Sequence, residues 1–314
     1  MIYGKYSFFC RFESEAILPY YKGSTFRGVF GHALKKVVCA LNNENCSQCD
    51  LKENCIYALA FETRLIVKPP ENSIVTSPPP PFVIEPPLST ELYFPRGSGF
   101  DFNLILFGRI NRNYPYFIYA LEQMGKIGIG KKINDKRGRF KLKQVMSGNL
   151  ELYSDSDSIL NEFDGFESLN LDDSEKYPKN DFHLKLDIDT PLRFKSRQKL
   201  STDLPFHVLL KAMMRRASFL LSCYGQGNPA RDYRELAEKA EQVQIVDNSL
   251  KWFDWRRYSQ RQESGMNLGG LVGSVTYKGK IGEFMPFVNF CSKAHMGKQT
   301  TFGLGKIRTE LSYE

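Results

Sequence analysis

The sequence predicts an α+β chain made of two tandem halves of similar design, and two observations carry that prediction. A glycine-rich loop occurs twice, as Gly128-Ile129-Gly130-Lys131 and as Gly303-Leu304-Gly305-Lys306. Each copy follows a helical stretch and leads into a short alternating strand, Phe140 to Val145 in the first half and Ile307 to Leu311 in the second. The length agrees with a duplication, since 314 residues is about twice an ordinary single domain.

The elements follow in order. Residues 1–12 alternate as a strand, and a helix is predicted from Thr25 to Leu41, where Phe26, Val29, Phe30, Leu34, Val37 and Val38 recur at helical spacing. Prolines crowd residues 66–95, including Pro78 to Pro81 and Pro86-Pro87, so an extended crossing without a regular element is expected there. A strand from Phe100 to Ile110 and a helix from about Tyr116 to Met124 lead to the first glycine-rich loop. The second half reads as a strand at 182–190, a long helix at 203–224, a polar stretch containing a helix, a strand at 268–278, a helix near 284–293 and the closing loop. Strand–helix–strand units with antiparallel partners are the ferredoxin-like arrangement. The expected organisation is a ferredoxin-like domain over 1–150 with a cysteine-rich insertion at 39–55, an acidic linker over 151–180, and a second ferredoxin-like domain over 181–314.

Composition bounds the class of partner. With 42% hydrophobic residues and 24 Phe the chain has the material for a sizeable core. It contains no apolar run long enough to cross a bilayer and no secretory signal pattern, so a cytoplasmic location and no membrane partner are expected. The net charge of +8 understates the basic surface, because residues 151–175 hold nine Asp or Glu and no Lys or Arg. An excess of positive charge elsewhere points to a polyanion. Lys126, Lys131, Lys132, Lys136, Arg137, Arg139, Lys141 and Lys143 crowd one segment, and Arg193, Lys195, Arg197 and Lys199 follow Thr190-Pro191. Arg215-Arg216 and Arg256-Arg257 add two pairs, the latter beside Trp252, Trp255 and Tyr258. Cations interleaved with aromatic rings suit single-stranded nucleic acid, whose bases stack while its phosphates are tracked.

The closing loop is where chemistry is expected. Gly297, Gly303 and Gly305 permit close backbone approach to a ligand, Lys298, Lys306 and Arg308 surround them with charge, and His295 stands at the entrance. An imidazole exchanges protons near neutral pH, so a phosphate cradle beside one suggests catalysis as well as binding. For His183 and His207, set among core residues, a structural role is the expectation.

Four of the seven cysteines fall within seventeen residues as Cys39, Cys46, Cys49 and Cys55, with His32 shortly upstream. In a reducing compartment such grouping argues for a metal site rather than disulfides, and the ligands suit either zinc or an iron–sulfur cluster. Four thiolates leave no open position for water, so the expected site is structural.

An ordered set of motifs resembles a known family. These are Thr25-Phe26-Arg27-Gly28 with His32-Ala33-Leu34; the four cysteines followed by Tyr57 and Phe61-Glu62; Pro80-Pro81-Phe82 with Glu85-Pro86-Pro87-Leu88; Thr190-Pro191-Leu192-Arg193; Gly269-Gly270-Leu271-Val272-Gly273; and His295-Met296-Gly297-Lys298 with Phe302-Gly303-Leu304-Gly305. Together they resemble the CRISPR-associated endoribonucleases of the RAMP superfamily, the sixth Cas family, over nearly the whole chain. The resemblance implies two ferredoxin-like domains and metal-independent cleavage of the repeat in precursor CRISPR RNA, single-stranded or folded as a hairpin. The RNA's own 2′-hydroxyl attacks the adjacent phosphate, giving a 2′,3′-cyclic phosphate and a 5′-hydroxyl. It further implies that His295 matches a histidine preceding the terminal loop, and that His32 lies on the first helix, where other branches place catalytic groups. Lys298 and Lys36 are then candidate phosphate partners. Tyr20 and Tyr21 are near the first helix but match nothing closely. The alternatives are a non-cleaving RAMP subunit that holds guide RNA in an effector complex, and a metal-stabilised protein-interaction module.

Overall fold

The computed structural model describes residues 1–41, 45–69, 77–157, 159–171, 177, 180–193, 202–227, 232–254, 256–259 and 264–312, with the backbone alone over 256–259 and 264–267. The chain divides into two units, Met1–Ser168 with Ser222–Gln226, and Leu169–Leu221 with Gly227–Glu314.

The first unit runs β1 (Ile2–Phe12), α1 (Gly23–Val38), β2 (Phe82–Glu85), β3 (Gly99–Phe107), α2 (Tyr114–Ile127), β4 (Phe140–Ser147) and β5 (Leu150–Ser154). Its sheet is antiparallel in the order β2-β3-β1-β4-β5. Tyr6, Phe8, Cys10 and Phe12 alternate onto one face of β1 and share a core with Phe26 and Phe30 of α1 and Phe117 and Leu121 of α2. Phe102, on β3 opposite Phe8, stacks on it with ring centroids 5.1 Å apart and meets Phe26 edge-on at 5.1 Å. That aromatic layer fixes α1 against the sheet.

The second unit runs β6 (Phe182–Leu192), α3 (Phe206–Tyr224), β7 (Gln244–Asn248), β8 (Gly270–Gly279), α4 (Met285–Ala294) and β9 (Ile307–Ser312), with sheet order β7-β8-β6-β9. Leu184, Leu186 and Ile188 alternate inward from the central strand β6. In both units the first and third strands are central, and the second and fourth of the βαββαβ series flank them. This is the ferredoxin-like topology, present twice.

Three readings of the sequence are corrected at the edges of the sheets. The proline-rich stretch contains β2, whose Phe82, Val83, Ile84 and Glu85 are all buried, so it shows no alternation and its flanking prolines suit an edge strand. The acidic segment opens with β5, and Glu167–Ser168 pairs with β1, so it is not wholly linker. The polar stretch of the second half contains β7, an edge strand too exposed to show an apolar pattern. Among the described residues no helix is long and apolar enough to cross a membrane.

Candidate functional site

The terminal loop is built from the end of β6. The Gly305 N–H donates to the Pro191 carbonyl at 3.2 Å, the Lys298 N–H to the Arg193 carbonyl at 2.6 Å, and the Met296 N–H to the Gly305 carbonyl at 3.0 Å. Thr190 latches both sides, its hydroxyl donating to the Gly303 carbonyl at 2.8 Å and accepting from the Lys306 N–H at 2.9 Å. Gly297 and Gly305 hold φ of 83° and 70°, and a Cβ on either would run into a carbonyl, that of Arg193 or that of Met296. The close approach these glycines permit is therefore to the chain itself. Gly303 and Gly305 are buried, which corrects the expectation that they face a phosphate.

His295 is corrected in the same way. It is 0% exposed, adopts φ 54° as the residue ending α4, and its Nδ1 lies 3.1 Å from the Leu304 carbonyl. A general base must come within hydrogen-bond reach of the proton it removes, and this ring is enclosed. Arg216, only 9% exposed, donates from Nε to the His295 carbonyl at 3.1 Å and from Nη2 to the Ala294 carbonyl at 2.9 Å. A guanidinium thus covers the final carbonyls of α4, where backbone acceptors lack helical partners and the dipole is negative. The sequence reading of Arg216 as half of a basic pair missed this role; the signal that could have found it is its helical spacing with Leu209, Met213 and Leu220, a stripe that is buried. Arg216→Ala is expected to cost about 3 kcal/mol, read by urea denaturation, since it leaves two interior carbonyls without their charged donor.

The basic residues sort by what holds them. Lys298 is exposed at the loop surface and Lys306 is half-buried. Arg308 is exposed but grips Asp189 through Nε and Nη2 at 2.7 and 2.8 Å, so its charge is matched within the sheet. Arg193 is half-buried, and Arg215 points outward over the Phe219 ring at 5.1 Å. Arg256 lies on a strand, Arg256–Ser259, whose side chains fall outside the described set; Trp255, Lys195, Arg197 and Lys199 lie outside the described residues. The first glycine-rich copy takes a different shape from the second. Ile129–Ile133 and Lys136–Gly138 form a hairpin turning at Asn134 and Asp135, both at positive φ, with Lys131 and Lys132 exposed on it.

On α1, Gly28, His32 and Lys36 are spaced four apart and all exposed, so they form one outward stripe. Along the adjoining flank of the helix, Arg27 lies over the Phe61 ring at 5.1 Å and Lys35 over Tyr57 at 5.4 Å. A side chain at Gly28 would meet nothing within 4 Å, so a ligand can lie along the helix beside His32. Tyr21, before the helix, is buried, and burial with the nearby Glu85 carboxylate drives its phenol well above the ordinary range. Tyr20 is exposed.

Cys39, Cys46, Cys49 and Cys55 are half-buried free thiols. Cys39 ends α1, and two short 3₁₀ turns, Cys46–Gln48 and Lys52–Asn54, space the others. Among the described residues no group of three or more His, Cys, Asp or Glu side chains is placed to hold a metal ion. Burial pushes the Cys46 thiol up, against the pull of Lys35, and Glu62, Cys55 and Cys39 push it further.

Residues 1–164 match the AF_1859_N N-terminal domain, and residues 186–307 match the family model of the CRISPR-associated endoribonuclease Cas6. An uncharacterized protein of Archaeoglobus fulgidus is 26% identical over 298 residues, covering 93% of this chain and 92% of its own. Among solved structures, Thermus thermophilus Cas6 superposes with a TM-score of 0.56 at 12% identity, over 98% of both chains. A Cas6 product complex gives 0.51 at 15% identity, over 99% of this chain and 100% of the other. A chain of a partial Cas6-RT-Cas1–Cas2 complex gives 0.59 at 14% identity over 100% of this chain, which spans only 46% of that longer chain. At these identities the structural likeness is one of fold. The N-terminal model covers half of the sequence, so the chain belongs to the family of the AF_1859_N N-terminal domain, and residues 186–307 are similar to the CRISPR-associated endoribonuclease Cas6.

Proposed function

We propose that this chain cleaves CRISPR repeat RNA without a catalytic metal, with His32 as the base. The observation that carries the reading is the exposed stripe of α1, where His32 and Lys36 stand one turn apart in a chain whose residues 186–307 match the Cas6 family model. His32 takes the proton of a 2′-hydroxyl, whose oxygen attacks the adjacent phosphorus. Lys36 sets a cation beside the crowded phosphorane, the P–O5′ bond breaks, and solvent protonates the departing 5′-oxygen. The products are a 2′,3′-cyclic phosphate and a 5′-hydroxyl. Lys298 and Arg215, exposed on the second unit, supply phosphate contacts, and His295 serves the loop's structure. The likeness to a chain of a Cas6-RT-Cas1–Cas2 complex supports work alongside other CRISPR proteins.

The test is incubation of the purified protein with the CRISPR repeat RNA of its source genome in EDTA, with the product ends identified. Cut RNA bearing a cyclic phosphate is the expected result. RNA that is bound but never cut would favour the guide-holding subunit instead. Cutting that stops in EDTA and returns with magnesium, in protein shown by circular dichroism to stay folded, would refute the metal-independent route.

A further inference from the structure

We infer that the first unit carries a second RNA-contact surface, in which the exposed rings of Tyr20 and Tyr93, beside Lys131 and Lys132 of the hairpin, hold unpaired nucleotides of the substrate. The inference rests on the RNA-processing reading above and names the part of the RNA this face takes.

Three segments meet here. Ala16–Ile17 pairs with Tyr93–Phe94, with Ile17 opposite Tyr93, and the Leu18 N–H donates to the Leu92 carbonyl at 2.8 Å. The hairpin abuts that pair, because a Cβ on Gly130 would collide with the Ile17 carbonyl and one on Gly138 with Ala16. Lys131 therefore follows directly on a residue in contact with the strand beside Tyr93. Neighbouring strands lie about 5 Å apart, so rings and cations fall within one or two strand spacings.

Tyr20 joins the same surface through Lys22. That lysine is 0% exposed; its Nζ donates to the Tyr20 carbonyl at 3.4 Å and to the Ser89 carbonyl, and lies 5.5 Å from the centre of the Phe94 ring. A buried ammonium shared between two carbonyls ties the segment before α1 to the strap that ends in Tyr93. The platform is thus fixed while its rings are open: Tyr20 is 51% and Tyr93 52% exposed, with Leu88 and Leu92 exposed beside them.

Two large tyrosines left in solvent on a braced support are costly as surface and useful as stacking faces. Glu15 bonds the Tyr93 hydroxyl, and the residue remains half exposed. Lys131, Lys132, Lys136, Arg137 and Arg139 outnumber the carboxylates Glu13, Glu15, Glu91 and Asp135 of the same segments. Lys132 meets Asp135 at 3.8 Å and Arg137 donates to the Gly130 carbonyl, so Lys131 is the cation best placed for a phosphate. Aromatic faces beside cations suit unpaired RNA better than a duplex, whose bases are already stacked. His32 lies nine residues beyond the start of α1, about 13 Å along its axis, so RNA stacked here runs toward the proposed base.

An unpaired oligoribonucleotide carrying 2-aminopurine tests this, since stacking on an aromatic ring quenches its emission. The wild-type protein should quench it, and Tyr20→Leu/Tyr93→Leu should lose most of the quenching and bind roughly tenfold or more weakly. Lys131→Ala/Lys132→Ala should lower the salt slope of binding by about 1.4, and this variant leaves the tyrosine platform untouched should the tyrosine pair unfold. His32→Ala should quench as wild type does, which separates this surface from the catalytic reading. Absence of cleavage with tyrosine-dependent quenching would overturn the catalysis and leave the surface standing. Cleavage with wild-type quenching and salt slope in both pairs of variants would overturn the surface, and mark the face for a protein partner instead.

Discussion

His32→Ala is expected to slow cleavage of repeat RNA by roughly 10²–10⁴-fold under single-turnover conditions, with RNA affinity nearly unchanged. The side chain is exposed on α1, so the loss should fall on chemistry rather than on the fold. His295→Ala provides the contrast. That ring is enclosed against the Leu304 carbonyl, so its removal should lower stability and leave the rate per folded molecule close to wild type. Should His295→Ala abolish cleavage in folded protein while His32→Ala cleaves normally, the two histidines have been assigned the wrong way round.

Gly305→Val should produce the largest structural loss of any single change discussed. The position combines φ of 70° with a carbonyl, that of Met296, where the Cβ would go. A β-branched residue at positive φ is itself strained, and relieving the overlap would break the Met296 to Gly305 hydrogen bond and displace the Thr190 latch. A loss of about 3 kcal/mol or more in urea denaturation is expected, together with weaker RNA binding. Wild-type stability for this variant would mean that the loop does not close as described.

Much of the fold was legible because its central strands and helices bury one face and write that face as a period. β1, α1, β6 and α4 all carry it. What the pattern missed lies at the edges: β2 is buried throughout, and β7 is too exposed to alternate. The duplication was visible in two Gly-x-Gly-Lys copies, but their different shapes were not. Asn134 and Asp135 turn the first into a hairpin, whereas Thr190 and Arg216, distant in sequence, fold the second onto β6 and α4. The site was harder to read for the same reason. Glycines and a histidine in a basic loop look alike whether they face a phosphate or their own carbonyls, and only burial separates the two. His32 stood in the sequence as a candidate. Its four-residue spacing from Gly28 and Lys36 is a helical stripe, and the structure leaves that stripe open.

The central claim is that RNA is cut by its own 2′-hydroxyl on this chain. The most direct measurement first maps the cut in the repeat RNA, then replaces the single 2′-hydroxyl at that position by hydrogen and compares cleavage and binding in EDTA. The predicted result is unaltered binding with no cleavage, because the nucleophile is gone while every phosphate contact remains. Continued cleavage of the 2′-deoxy substrate at the same bond would contradict it, since the attacking oxygen would then have to come from water.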